Sequence, residues 1–378
     1  MSTTLRDKHL ALQTKISHFA EHVIALHDDL YSMDEFPFDI WSKMGSEDLL
    51  GLSIPKTYGG IWQDYLSIVV ATETMVRRGH NIGLALSWII HLIISRLLIL
   101  NFGNCEQRNL YLFDLSRGKI TASIAVSEPE TGANPKRLMT SAHYKDGCYI
   151  INGEKAFLSN GPIADIFVVF AVTGVHNEKN QITAFLVPAD TAGLSIIEKM
   201  SLNFLRPSPH CGITLTNCSV PANNILGNVG SAYEDMMKPF RELEETIMFG
   251  PIIGGMQLQI DLLLSLIEKQ GITITDELRE AIGELQSMVH ALRIISYEAA
   301  CLLDKPKYCQ TPFSLMPVFR RLSRDFQSLL GQTMQNSEIK EDAPLDNITK
   351  DLVHINDIGR NVIKIKQRKF GNTILNNR

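Results

Sequence analysis

Apolar side chains recur at helical spacing from Leu5 to about Lys119, as in Ala11, Ile16, Phe19, Val23, Ile24 and Leu26. Pro37 and the run Pro55-Lys-Thr-Tyr-Gly-Gly60 punctuate that stretch as turns. From Ile120 to about Leu226 the pattern changes to short β-rich runs, among them Tyr149–Ile151, Ile166–Phe170 and Ala184–Val187. Lys145-Asp-Gly147 and Asn152-Gly153 have the composition of hairpin turns between or beside such runs. Helical spacing returns beyond Gly230, over Ile247–Ile267, Leu278–Leu303 and Pro317–Met334. Asn336–Asn347, rich in Glu, Asp and Lys, reads as a loose linker. The order predicts an α+β, mainly α chain of three consecutive domains: helical over 1–119, β over 120–229 and helical over 230–378. No βαβ alternation is visible and no glycine-rich turn follows a strand, which disfavours a Rossmann domain.

Composition narrows the class further. A chain of 378 residues is longer than one undivided hydrophobic core usually supports. With 45% hydrophobic and 20% charged residues, it is neither disordered nor fibrous. The 36 basic residues fall short of the 41 acidic ones, so nothing points to nucleic acid. Six cysteines without a CxxC pair make neither a disulfide scaffold nor a structural zinc site. Met1–Gln13 lacks the apolar core of a signal peptide. Ile82–Leu100 is the most membrane-like stretch, but His91 and Arg96 interrupt it, so a buried helix is expected. A cytoplasmic protein without a membrane partner is the expectation.

Taken alone, the residues give few catalytic signals. The histidines are scattered without metal-ligand spacing, and no serine sits in a GxSxG elbow. The loop Ser127–Asn134 follows the apolar run Ile120–Val126. Its small residues would let a ligand approach backbone amides, but on the residues alone an ordinary strand-to-strand loop is the favoured reading.

At this loop a resemblance appears. Ala125-Val-Ser-Glu-Pro-Glu-Thr-Gly-Ala-Asn134 resembles the V-T/S-E-P-x-A-G-S-D loop of acyl-CoA dehydrogenases. Gly153-Glu-Lys-Ala-Phe-Leu-Ser-Asn-Gly161 is similar to that family's N-G-x-K-x-W-I-T-N-G. Pro55–Gly60, Asn101–Arg108 and Val220–Gly227 match further motifs in order, and Arg206 stands where the family has an Arg ahead of the last strands. The resemblance implies a middle β-barrel-like domain between an N-terminal helical domain and a C-terminal four-helix bundle. It also implies FAD and a CoA-type thioester.

Several roles carry over from matching positions. Val126, Ser127 and Gly132 match cofactor-binding positions, while Phe157 and Ser159 replace the aromatic and hydroxyl residues that lie against the flavin. Ala133 stands where the family has a phosphate-contacting Ser. Arg206, Gly250 and Gly254 match the substrate side. Proton abstraction α to a thioester needs a carboxylate in a dry pocket. The usual C-terminal Glu is absent, since no Glu follows Glu341. In isovaleryl-CoA and long-chain types the base lies on the first helix after the β-domain, and Leu243–Gln257 aligns there without a gap. That puts Glu244 on the base position.

The implied reaction is FAD-dependent α,β-dehydrogenation of an acyl thioester, with hydride passing to flavin N5. An electron-transfer flavoprotein-type acceptor and a homodimer or homotetramer are implied too. Three departures stand out. Glu245 replaces the family's Arg, Lys269-Gln-Gly-Ile-Thr-Ile-Thr275 replaces R-x-x-F-G, and the later Q-x-x-G-G-x-G is absent. They keep two alternatives open: a dehydrogenase of acyl-carrier-protein thioesters, and a flavin-free scaffold of the same fold.

Overall fold

A computed structural model describes residues 5–199, 202–305, 311–357 and 360–376. Ahead of the strands come α1 (Asp7–Phe19), α2 (Phe38–Ser46), α3 (Tyr65–Gly79), α4 (Ile82–Ile93) and α5 (Cys105–Ser116). The strands are β1 (Ala122–Ala125), β2 (Ser141–Lys145), β3 (Cys148–Ser159), β4 (Ile166–His176), β5 (Lys179–Pro188), β6 (Leu194–Lys199), β7 (His210–Pro221) and β8 (Ile225–Leu226). Then follow α6 (Lys238–Ile247), α7 (Phe249–Lys269), α8 (Asp276–Leu303), α9 (Thr311–Asn336), α10 (Ala343–Asp357) and α11 (Arg360–Asn376). The chain is mainly helical with one sheet, as the residue pattern predicts.

Side chains mark the helix starts. Asp64 Oδ1 accepts the Ser67 amide at 2.8 Å to cap α3. Asn104 and Gln107 exchange side chain-to-backbone bonds of 2.9 Å, a capping box that opens α5. Thr275 caps α8 through the Leu278 amide.

Contacts divide the chain into two compact units that do not follow chain order. A helical unit comprises residues 1–31, 64–85 and 245–378; a sheet unit comprises residues 32–63 and 86–244. Helical periodicity shows which face of a helix is apolar, but not which partner covers it. In the helical unit α7 is central, with α3, α8 and α10 packed on it and α9 against α8 and α10. Phe249 stacks on Phe319 at 3.8 Å. Gln259 ties α7 to α9 and α10 through Gln327 (3.0 Å) and Thr349 (2.8 Å). Buried Glu73 on α3 receives Arg293 at 2.7 Å and Tyr297 at 2.9 Å from α8.

In the sheet unit the strand order is β6-β7-β3-β2-β4-β5-β8, with β1 beside β4. β2 meets β4 at one register pair, Ser141↔Val172. Side chains from both sides of that junction share one core, among them Ile151, Leu158 and Ile213 with Phe167, Val169 and Phe185. Among the described residues β6 and β8 end the strand order without pairing to each other, so the β-barrel-like domain is not a closed barrel.

The expected turn at Asp146-Gly147 forms, with φ of 48° and 85°. Asn152-Gly153 is a different matter, because it is a bulge inside β3. Gly153 has φ 150°, and a Cβ there would lie 2.5 Å from Thr140 Oγ1. Close approach, not chain reversal, requires that glycine. The expected linker is also shorter than Asn336–Asn347, since α10 begins at Ala343. Ile82–Leu100 and Tyr233–Lys269 are long and apolar enough to cross a membrane, yet 94% and 78% of their most apolar windows are buried in the protein.

Candidate active site

The site grows from an irregularity in β3. Its pairing with β7 shifts register between Lys155 and Leu158. At this bulge Phe157 takes φ 60°, a left-handed backbone that costs a side-chain-bearing residue about 1–2 kcal/mol. Bulges re-aim side chains, and here the Phe157 ring is 58% exposed while Leu158 stays in the core.

The loop after β1 is bound to this bulge. The Ala156 amide donates to the Ser127 carbonyl at 2.8 Å, and Lys155 Nζ donates to the Val126 carbonyl at 3.1 Å. Both carbonyls are thereby taken, and among the described residues no turn or loop carbonyl accepts the Val126 or Ser127 amide. Glu128 holds the loop from beneath. It accepts Lys155 Nζ at 3.0 Å and the Thr140 and Met139 amides at 2.9 and 2.8 Å. Burial alone would raise its carboxyl, but the Lys155 charge and these donors outweigh it and hold the group below its ordinary range. Burial pushes the Lys155 ammonium down to about 8 against the opposing pull of Glu128.

A cavity of roughly 220 Å³ opens over this platform. Val126, Ser127, Phe157 and Ser159 line it from the sheet, and Lys238, Arg241 and Glu244 line it from α6. Residues three apart on a helix share a face, so these three charged groups present one polar stripe. Lys238 is paired with Glu234 and lies 5.0 Å from the Tyr233 ring centre. Behind the wall, Ser159 Oγ is 3.0 Å from His210 Nε2. Burial pushes His210 below its ordinary range, partly offset by the Ser208 backbone. The arrangement offers an exposed aromatic face, open backbone amides, a hydroxyl and a half-buried carboxylate around one space.

Residues 6–119 match the family model described as acyl-CoA dehydrogenase, N-terminal domain, and residues 123–218 match that family's middle domain. The chain is 31% identical over 283 residues to the mitochondrial isovaleryl-CoA dehydrogenase of Solanum tuberosum, an alignment covering 74% of this chain and 67% of that protein. The chain belongs to the acyl-CoA dehydrogenase family. An acyl-CoA dehydrogenase of Bacillus subtilis is 35% identical over 204 residues, 54% of this chain and 53% of that one. These alignments thus span about two thirds or less of the relatives' lengths. Butyryl-CoA dehydrogenase from Megasphaera elsdenii has the same fold, with a TM-score of 0.86 at 20% identity over 99% of this chain and 100% of that one.

Of the residues singled out from sequence, Val126, Ser127, Phe157, Ser159 and Glu244 come together around this acyl-CoA dehydrogenase-family cavity. Gly132 lies one residue from the cavity-lining Ala133, and it closes the loop by exchanging backbone bonds with Glu128 at 2.9 and 3.1 Å. Arg206 is engaged elsewhere in the sheet unit, with the Leu202 carbonyl at 3.0 Å and Asp34 at 3.6 Å. Gly250 and Gly254 belong to the helical unit. A Cβ on them would lie 2.4 Å from Thr72 Oγ1 and 2.3 Å from the Glu73 carbonyl oxygen, respectively. Both are positions of close α3–α7 packing. Sequence reasoning passed over Lys155, His210, Lys238 and Arg241. Lys155 and Glu128 stood inside the quoted motifs, whereas His210 carried no local signal.

Proposed function

We propose that this chain catalyses α,β-dehydrogenation of an acyl-CoA thioester with FAD as cofactor, short branched acyl groups being the first candidates. The single observation that carries this reading is the convergence of Val126, Ser127, Phe157, Ser159 and Glu244 on one cavity. The residues present suit a flavin: an exposed aromatic face at a strained backbone position, two amides that no turn or loop carbonyl accepts among the described residues, and a hydroxyl. Val126 and Ser127 would hold the ring by their backbone and hydroxyl groups, and Phe157 would lie against its face.

Bound FAD would supply the hydride acceptor. Glu244 would take the α-proton, and a backbone amide would polarise the thioester carbonyl as part of an oxyanion hole. Arg241, one turn earlier on the same face, supplies a cation at the cavity wall that offsets the loss of the Arg replaced by Glu245. Exposed Phe370, Ile374 and Leu375 on α11 support the further proposal of a homo-oligomer.

The test is the absorbance spectrum of the purified protein, before and after reconstitution with FAD. Flavin bands that bleach anaerobically on addition of isovaleryl-CoA or another short branched acyl-CoA are the expected result. Bleaching by an acyl-carrier-protein thioester alone would move the substrate to carrier-bound acyl groups. A protein that stays colourless with added FAD would overturn the enzyme reading in favour of a scaffold.

A further inference from the structure

The Ser159 side chain reaches the cavity, but its hydroxyl is engaged on the far side. Its partner is the residue that strand register sets directly opposite, Ser159↔His210 in the β3–β7 pairing. Ser159 Oγ and His210 Nε2 are 3.0 Å apart. On the other side of the ring, His210 Nδ1 lies 3.0 Å from the Ser208 carbonyl oxygen. A carbonyl can only accept, so Nδ1 carries the ring proton and Nε2 of the neutral imidazole is left as an acceptor. The ring is only 9% exposed, which disfavours the cation that would make Nε2 a donor. Ser159 has one proton, and it goes to His210. Only oxygen lone pairs remain for the cavity.

The surroundings hold this polarity in place. Ser208 is tied by its side chain to Ser87 at 3.0 Å. Asn160, next to Ser159, donates its amide to the Pro209 carbonyl at 2.9 Å and its side chain to the Ser87 carbonyl at 2.9 Å. The segment 208–210 is therefore pinned on both sides of the imidazole's anchor.

We infer that His210 is a positioning residue that makes Ser159 an obligate hydrogen-bond acceptor toward the occupant of the cavity, so that the site favours a ligand group presenting N–H over one presenting a bare ring nitrogen. The consequence rests on the FAD reading above. When a flavin takes up two electrons, ring nitrogens that were acceptors gain protons and become donors. A Ser159 hydroxyl that can only accept therefore favours the reduced cofactor over the oxidised one wherever it meets such a nitrogen. A freely turning serine would serve both forms and discriminate less.

Two measurements test this. Nitrogen-15 NMR of the cofactor-free protein should show His210 protonated on Nδ1 and bare on Nε2; the opposite tautomer would overturn the inference. In the FAD-loaded protein, His210→Phe should lower the ratio of reduced to oxidised flavin at fixed potential by about tenfold, the worth of one hydrogen bond. For a two-electron couple that is a fall of ~30 mV in midpoint potential. In a Ser159→Ala background the same substitution should shift nothing. An equal shift in both backgrounds would mean that His210 acts only through packing, and would refute the proposal. His210→Gln, whose side-chain carbonyl can accept the hydroxyl proton, should restore most of the potential, and it carries the test if His210→Phe does not fold. Should the protein refuse FAD, the functional reading falls while the tautomer still decides the Ser159–His210 polarity.

Discussion

Lys155 Nζ lies 3.0 Å from Glu128 Oε1 with both side chains at the base of the cavity-bearing loop, Lys155 wholly buried and Glu128 nearly so. The pair joins the loop after β1 to the bulge in β3, so it sets the spacing between Ser127 and Phe157. Two charges taken out of water are tolerated only while each satisfies the other.

Lys155→Met should therefore destabilise the protein by about 3–5 kcal/mol, the usual effect of stranding one buried charge. The double variant Lys155→Met with Glu128→Gln should recover part of that loss, because no charge is left stranded and the single Gln carbonyl still accepts one of the Thr140 and Met139 amides, which bond different oxygens of the carboxylate. Urea melts of the three proteins decide it. A double variant no more stable than Lys155→Met would show that the two side chains are not energetically coupled.

Gly254→Ala separates packing from substrate binding. The added Cβ would lie 2.3 Å from the Glu73 carbonyl oxygen, a backbone atom that cannot swing aside. Overpacking of this kind costs about 1–3 kcal/mol. The melting temperature should fall, with no change in KM for those molecules that stay folded. An unchanged melting temperature with a raised KM would return Gly254 to the substrate side.

How much of this was legible in the sequence follows from the range of each interaction. Helix types were readable because amphipathic spacing is a local signal, as in Ala11, Ile16 and Phe19. Their sharing between two units was not, since α1 and α3 fall in one and α2 and α5 in the other. Asn152-Gly153 has the composition of a turn but serves a bulge, because composition cannot tell a positive φ from a need for close approach. Val126, Ser127, Phe157 and Ser159 were found because they lie in contiguous motifs. His210 was invisible: only β3–β7 register brings it to Ser159, from fifty-one positions away.

His91 should make the protein acid-sensitive. Its ring is fully buried, edge-on to Trp41 at 5.4 Å, and burial pushes it down to about 4 from 6.5. As pH falls through 6.5 the unfolded chain binds a proton that the folded chain refuses until about pH 4. Stability therefore drops across that window, by at most ~1.4 kcal/mol per pH unit and roughly 3 kcal/mol in all. His80 and His210 are shifted in the same direction, so the comparison is with His91→Leu. Denaturant melts at pH 7, 6 and 5 should show a shallower loss for the variant; parallel curves would remove His91 as the cause.

Phe157→Gly tests whether the strained bulge exists for a ligand. Glycine accepts φ 60° without penalty, and the ring it removes is mostly exposed. The cofactor-free protein should gain up to about 1 kcal/mol of stability. FAD affinity should fall by about tenfold with the loss of an aromatic contact. A loss of stability together with unchanged FAD affinity would make Phe157 an ordinary packing residue.

Glu244 and Glu245 are neighbours on one helix, and such neighbours point about 100° apart. Glu244 is among the residues that line the cavity, and Glu245 is not. Under the proposed reaction, Glu244 is the residue expected to receive the proton from an occupant of that cavity. Glu244→Gln keeps size and hydrogen bonding but removes the basic carboxylate, so FAD should remain bound while thioester-dependent bleaching slows by about 10² to 10⁴. Glu245→Gln should alter the rate far less. The experiment needs a thioester that bleaches the wild-type flavin, read by anaerobic stopped flow. Loss of bleaching in Glu245→Gln but not in Glu244→Gln would shift the base by one residue. Wild-type rates in both would place the proton acceptor elsewhere, and Arg241 on the same face would then mark a site for an acidic ligand group rather than a partner of the base.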